Sequence, residues 1–136
     1  MTNKHIGSCL CGIVGFEVLG DLHAPDACHC RQCRKQSGHY WAAVDVPRDR
    51  LTVRGAENVS WYQSSAKARR GFCRNCGSFL FWDAADRPSM EVAMGAFDGA
   101  TNTKIGSHIF VDDKGDYYDI ADGRPTFGAA PDDGTS

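Results

Sequence analysis

The sequence encodes a mainly β fold pinned by bound metal, and two features predict it. Its apolar residues fall into short alternating or β-branched runs broken by Gly, Asn, Asp and Pro, and its seven cysteines gather in three tight groups. Period-two alternation sets one face of a strand against a core and the other towards solvent. An odd number of cysteines cannot be closed completely by intrachain disulfides, so clustered thiols are better explained as metal ligands.

The elements follow in order. Over residues 15–20, Phe16 and Val18 alternate with Glu17 and Leu19, and residues 40–46 and 51–54 are again short aromatic or β-branched runs. Residues 60–63, 78–83, 90–97 and 108–111 continue the pattern with turn residues between them. Only 31–36 and 64–69 are polar and unbranched enough to turn helically, and both are brief. The expectation is a set of short antiparallel sheets with a few short helical turns. A chain of 136 residues buries one core and is too short for two ordinary domains. A single domain over 1–128 is therefore expected, followed by a flexible tail over 129–136, where the residues are small, acidic and turn-rich.

Composition narrows the partners. Apolar residues at 42% and charged residues at 24% are ordinary for a folded globular chain. A net charge of −2 gives no reason to expect nucleic acid or an acidic membrane, which are bound by a concentrated excess of Lys and Arg. The opening MTNKHIGSCLCG holds no apolar stretch of signal-peptide length, and no segment approaches the roughly 20 apolar residues of a membrane span, so a cytoplasmic location is expected.

The cysteines sort by spacing into Cys9-x-Cys11, Cys28-x-Cys30-x-x-Cys33 and Cys73-x-x-Cys76. In the first and third groups the second cysteine is followed by glycine, as CLCG and CRNCG. A metal knuckle must turn sharply so that backbone N–H groups point at thiolate sulfur, and glycine reaches the positive φ this demands. Cys9, Cys11, Cys73 and Cys76 thus combine into one structural four-cysteine zinc site, stapling together segments 61 residues apart.

The middle group has no partner group left. Cys28 and Cys30 share a face of extended backbone, and Cys30 and Cys33 meet on one side of a helical turn. Structural zinc is closed by four protein ligands, whereas catalytic zinc keeps three and leaves one position for substrate or water. Cys28, Cys30 and Cys33 are therefore the expected ligands of a second, catalytic zinc; closure by His29 or Ser37 is the competing arrangement. Three thiolates around Zn2+ leave a net negative charge that weakens the ion as a Lewis acid, so an incoming thiolate suits the open position better than water to be activated. Arg31 and Arg34, with Lys35, offset that charge and are candidates to grip a carboxylate-bearing thiol cosubstrate.

The remaining polar and aromatic residues have plainer expectations. His29 should face away from its neighbouring ligands into solvent, and His108 should be a hydrogen-bonded core histidine. Trp61, Phe79, Phe81, Trp82 and Phe97 are expected in the core, and Lys67, Arg69 and Arg70 on a solvated face.

Five ordered segments, GSCLCG at 7–12, CHCRQCRKQSG at 28–38, FCRNCGSFLF at 72–81, MGAFD at 94–98 and HIFVDDKGDYYDIADGRPTF at 108–127, resemble the glutathione-dependent formaldehyde-activating enzymes and their centromere-protein-V-like relatives. The resemblance implies a β-tent fold, two zinc ions on the ligand sets just given, and glutathione as a cosubstrate. It further implies addition of glutathione to formaldehyde, classed as carbon-sulfur lyase chemistry in the reverse sense. The expected partners are then a small-molecule thiol and aldehyde, with no membrane. The alternative is a non-catalytic zinc-stabilised module that binds a protein or nucleic acid.

Overall fold

The computed structural model describes residues 3–130. In chain order the strands are β1 (Lys4–Ser8), β2 (Gly15–Leu19), β3 (Asp26–Cys28), β4 (Trp41–Pro47), β5 (Leu51–Arg54), β6 (Val59–Gln63), β7 (Ala68–Cys73), β8 (Phe79–Ala84), β9 (Ser89–Ala93) and β10 (Ser107–Ile109); the one α-helix among the described residues is α1 (Arg31–Ser37). The fold is mainly β, as expected, with short 3-10 turns at several strand ends. No helix among the described residues is long and apolar enough to cross a membrane.

By internal contact the chain forms two compact units, one of the residues up to His23 with Val44–Asn102 and one of Ala24–Ala43 with the residues from Thr103 onward. Strand β4 runs from the second into the first. Of the tail expected over 129–136, residues 131–136 lie outside the described residues.

The first unit carries a three-stranded sheet ordered β1-β2-β5 and the strand order β4-β9-β8-β7-β6. Its core gathers Val14, Phe16 and Val18 from around β2, Val44 and Val46 from β4, Leu80 and Phe81 from β8, and Met90 and Val92 from β9. The Phe16 ring meets Phe81 at 5.9 Å and Phe97 at 5.1 Å, both edge-on, which is the arrangement aromatic quadrupoles favour. Each such side chain contributes about 1.5–3 kcal/mol through removal of apolar surface from water.

Residues 64–69, expected to turn helically, are instead the approach to and start of a strand. Polar composition was overridden by pairing: β7 is hydrogen-bonded on both sides, to β6 and to β8. Arg70 accordingly leaves the solvated face assigned to it, lying 2% exposed with its guanidinium 5.7 Å from the Phe79 ring centroid. Its neighbour Arg69 stays at the surface, 3.9 Å over Trp61 and paired to Asp83. Alternation along one strand separates the two arginines. The run at 90–97 is also shorter than expected, because β9 gives way to a 3-10 turn at Met94–Ala96.

In the second unit, β3 pairs antiparallel with the first residues of β4, Asp26 opposite Ala43 and Cys28 opposite Trp41. Its other edge pairs with β10 in parallel, Asp26 opposite Ser107 and Cys28 opposite Ile109, and His108 of β10 makes a further parallel bridge to Thr126. The ladder continues one residue further through the His29 N–H to Ile109 carbonyl bond at 3.0 Å. Helix α1 then starts on Cys30, whose sulfur accepts the Cys33 N–H at 3.3 Å, and ends where the Gly38 N–H returns to the Arg34 carbonyl at 3.0 Å.

Candidate metal centres

The first unit brings Cys9, Cys11, Cys73 and Cys76 together with all four sulfurs within 4.8 Å of one another. Cys9 and Cys11 sulfurs lie 3.6 Å apart, and Cys11 and Cys73 sulfurs 3.7 Å apart. Tetrahedral zinc with Zn–S bonds of about 2.3 Å requires sulfur separations of about 3.8 Å, so the set fits that ion. Both knuckles are built as the glycine positions predict. Gly12 and Gly77 hold φ of 81° and 80°, and the turns aim N–H groups at sulfur: Val14 at Cys9, and Asn75 and Cys76 at Cys73, each at 3.4 Å.

Cys9, Cys11 and Cys76 differ in charge tendency. Burial pushes Cys9 up from the ordinary thiol range, whereas the Asn75 side chain and the Ile13 backbone pull Cys11 down. Cys76 falls to about 5, chiefly through the Ser78 hydroxyl, which lies 3.2 Å from its sulfur, and the Ser78 backbone. The two less buried thiols, Cys11 and Cys76, are thus disposed to ionise beside the buried Cys9 and Cys73.

The second unit brings Cys28, Cys30 and Cys33 within the same 4.8 Å limit, all buried, and no fourth Cys, His, Asp or Glu joins them among the described residues. Strand β3 supplies Cys28, the helix cap Cys30, and the first turn of α1 Cys33. Hydrogen bonds from Cys30 and Cys33, together with burial, push the Cys28 thiol far above its usual range. Three thiolates so confined would repel one another unless a cation lay between them, and the donor set suits zinc.

Arg31 is exposed on the first turn of α1. Arg34 is half-buried, its Nε donating to the Asp113 carbonyl at 3.3 Å. Neither Ser37 nor His29 closes the three-thiol set. Ser37 caps carbonyls of its own neighbourhood, donating to Cys33 O at 2.8 Å.

His29 corrects an expectation. It does turn away from the cysteines on either side of it, but into the protein, where it is 0% exposed. Its Nδ1 is hydrogen-bonded to the Tyr118 hydroxyl, and its Nε2 lies 2.9 Å from His108 Nδ1. His108 is the hydrogen-bonded core histidine expected, 4% exposed, and its Nε2 lies 2.8 Å from Asp122 Oδ2. Burial first, then the neighbouring His108, pushes His29 down to about 4, so its ring is neutral at ordinary pH.

Sequence reasoning missed Tyr118 and Asp122, along with the rings around them. Tyr118 packs against His39 at 4.5 Å and Tyr117 at 4.8 Å between centroids, and Lys114 Nζ sits 4.6 Å over its face. The available signal was His29 itself: a polar ring set between two buried cysteines needs buried polar partners.

A mainly β chain holding a four-thiol cluster and a three-thiol cluster, each able to hold a metal ion, has counterparts among known proteins. Residues 4–113 match the family model described as glutathione-dependent formaldehyde-activating enzyme, and the chain belongs to that family. It is 30% identical over 125 residues to an uncharacterized lyase of Schizosaccharomyces pombe, covering 91% of this chain and 90% of that one. It is 37% identical over 83 residues to a protein of Halomonas elongata named for the same family, covering 55% of this chain and 53% of that one. A crystal structure of a Rhodobacter sphaeroides protein is similar with a TM-score of 0.59 and 28% identity, over 74% of this chain and 98% of that one.

Proposed function

We propose that this chain joins a thiol to a small aldehyde, glutathione and formaldehyde being the pair its family points to, to give an S-hydroxyalkyl adduct. The observation that carries the reading is the unequal division of sulfur, four thiols in one cluster and three in the other. In this reading Cys9, Cys11, Cys73 and Cys76 hold a structural zinc, and Cys28, Cys30 and Cys33 hold a second with one position left for a thiol. Zinc bound there would lower the pKa of an incoming thiol and keep its sulfur nucleophilic at neutral pH.

The chain's own residues do the rest. Cys28, Cys30 and Cys33 shape a buried, three-cornered seat that no fourth Cys, His, Asp or Glu of the described residues joins. Arg34, fixed against the Asp113 carbonyl, and the exposed Arg31 present cations beside it for a carboxylate of the cosubstrate. Holding the thiol at a fixed seat converts a bimolecular collision into a local one, the usual source of such rate gains.

Exchange spectroscopy on formaldehyde and glutathione mixtures tests this directly. The zinc-loaded protein is expected to raise the exchange rate above the spontaneous one, and Cys30→Ser to abolish the gain; a wild-type protein that leaves the spontaneous rate unchanged rejects this substrate pair.

A further inference from the structure

The three-stranded sheet β1-β2-β5 carries a cavity of about 420 Å3 that neither cysteine cluster uses. Its polar lining comes from Ser8, Glu17, Thr52, Arg54 and Asp98, all of the first unit. The volume falls within the roughly 300–1,000 Å3 of small-molecule sites.

Strand register lays the cavity out. β2 turns Phe16 and Val18 into the core, so Gly15 and Glu17 face the other way. Pairing then sets Ile6, Glu17 and Thr52 in one row across β1, β2 and β5, and Ser8, Gly15 and Arg54 in the next. Asp98 is held along the free edge of β1, where its N–H donates to the Ile6 carbonyl at 2.9 Å. The segments GSCLCG and MGAFD, far apart in sequence, thus supply Ser8 and Asp98 to one cavity.

A glycine aims the cation. Arg54 lies opposite Gly15, and its guanidinium fills the space a side chain would take there, with Cζ 2.6 Å from where a Cβ would stand. The guanidinium therefore lies back over β2. It meets no carboxylate there: among the described residues neither Arg54 nor Asp98 has an ion-pair partner, while Glu17 is neutralised by Lys4 at 2.9 Å. One free cation and one free anion line the same cavity from opposite sides without reaching each other.

Their separation sets the ligand. Neighbouring strands lie about 4.8 Å apart, so a guanidinium over β2 and a carboxylate just beyond β1 stand roughly 10 Å apart. The carboxylate and ammonium of one α-amino acid fill such a span when each makes a charge-assisted hydrogen bond of about 2.8 Å.

We propose that this cavity binds a free α-amino acid with an aliphatic side chain. Arg54 takes the α-carboxylate on its planar fork, Asp98 accepts from the α-ammonium, and Ile6, 54% exposed, is the apolar wall against which the side chain lies. The charges of Arg54 and Asp98 cancel, as do those of Lys4 and Glu17. A zwitterion satisfies both free groups, whereas a plain carboxylate or a plain amine leaves one of them without a partner. The site goes beyond the thiol–aldehyde reading and does not depend on it.

The test follows amide NMR spectra of the zinc-loaded full chain titrated with L-leucine, and separately with isocaproate and isoamylamine, which lack its ammonium and its carboxylate. L-leucine should give saturable shifts at Ile6, Thr52, Arg54 and Asp98 with a roughly millimolar Kd, as suits so small a ligand at an open site. Each half-ligand should bind about 10-fold more weakly or worse, and Arg54→Gln and Asp98→Asn, both at exposed positions, should each cost about 10- to 100-fold in Kd. Gly15→Ala should weaken binding with every charge still in place, because its methyl group evicts the guanidinium. No saturation by about 10 mM L-leucine, a half-ligand that binds as tightly as L-leucine, or charge variants that bind as wild type does, overturns the site. L-glutamine binding at least as tightly as L-leucine overturns the aliphatic assignment. Neither glutathione nor formaldehyde enters the titration, so its failure leaves the thiol–aldehyde reading standing and the failure of that reading leaves this site standing.

Discussion

The Leu10 N–H donates to the Ser78 hydroxyl oxygen at 3.0 Å, joining the turn of one knuckle to the residue just past the other across 68 positions of sequence. The same oxygen lies 3.2 Å from Cys76 Sγ. Ser78 therefore orients a ligand and ties the two half-sites together at once. Ser78→Ala should keep all four thiols and still weaken zinc binding about 10- to 100-fold, the usual cost of losing a partner behind a ligand. Competition against a chromophoric chelator measures it, and an affinity equal to wild type would show the hydroxyl to be idle.

Removing ligands should separate the two clusters. Cys73 is 0% exposed at the base of the four-thiol set, and structural zinc contributes on the order of 10 kcal/mol to small folds that depend on it. Cys73→Ser should lose one zinc per chain and the cooperative melt with it. Cys30→Ser should lose one zinc and keep a cooperative melt, since only the three-thiol set is touched. Metal analysis beside thermal circular dichroism decides, and equal melting behaviour of the two variants would contradict the division of labour.

A carboxylate in the first unit sets an acid limit. Burial acts to raise Asp83, but hydrogen bonds from Arg48 at 2.6 Å and Arg69 at 2.8 Å bring it below the ordinary carboxylate range. A depressed folded pKa stabilises fully above the unfolded value of about 3.9, and the contribution is lost as pH falls through the folded value. Both arginines are more than a third exposed, so screening keeps the effect of Asp83→Asn to about 1–2 kcal/mol at pH 7. Urea unfolding at pH 7 and pH 3 should show the gap between wild type and variant narrowing at the lower pH; a gap that widened there would reverse the sign.

Gly77 offers a test of backbone geometry without packing. Its φ is 80°, and nothing lies within 4 Å of where a Cβ would stand. Gly77→Ala should therefore cost more than about 1 kcal/mol through strain alone, and Gly77→Asn less, because asparagine tolerates the left-handed region better. Chemical denaturation of the zinc-loaded variants ranks them, and an alanine variant as stable as wild type would remove the reason for the glycine.

Much of the fold was legible because local periodicity and pairing agreed. Residues 51–54 and 15–19 alternate as strands must, and they are strands. β3 was invisible, since Asp26–Cys28 is three residues long and has no period to read. β7 was misjudged because Ala68–Cys73 carries two arginines, and only its two neighbours made it a strand.

The sites divide in the same way. Which sulfurs belong together followed from sequence alone, because a metal ligand's spacing and the glycine behind it are short-range constraints that the chain states within four residues. Whether His29 met water or protein was not stated anywhere nearby. That was decided by Tyr118 and His108, 89 and 79 residues away, since a hydrogen-bond partner is chosen by where the folded chain passes and leaves no local pattern to be read.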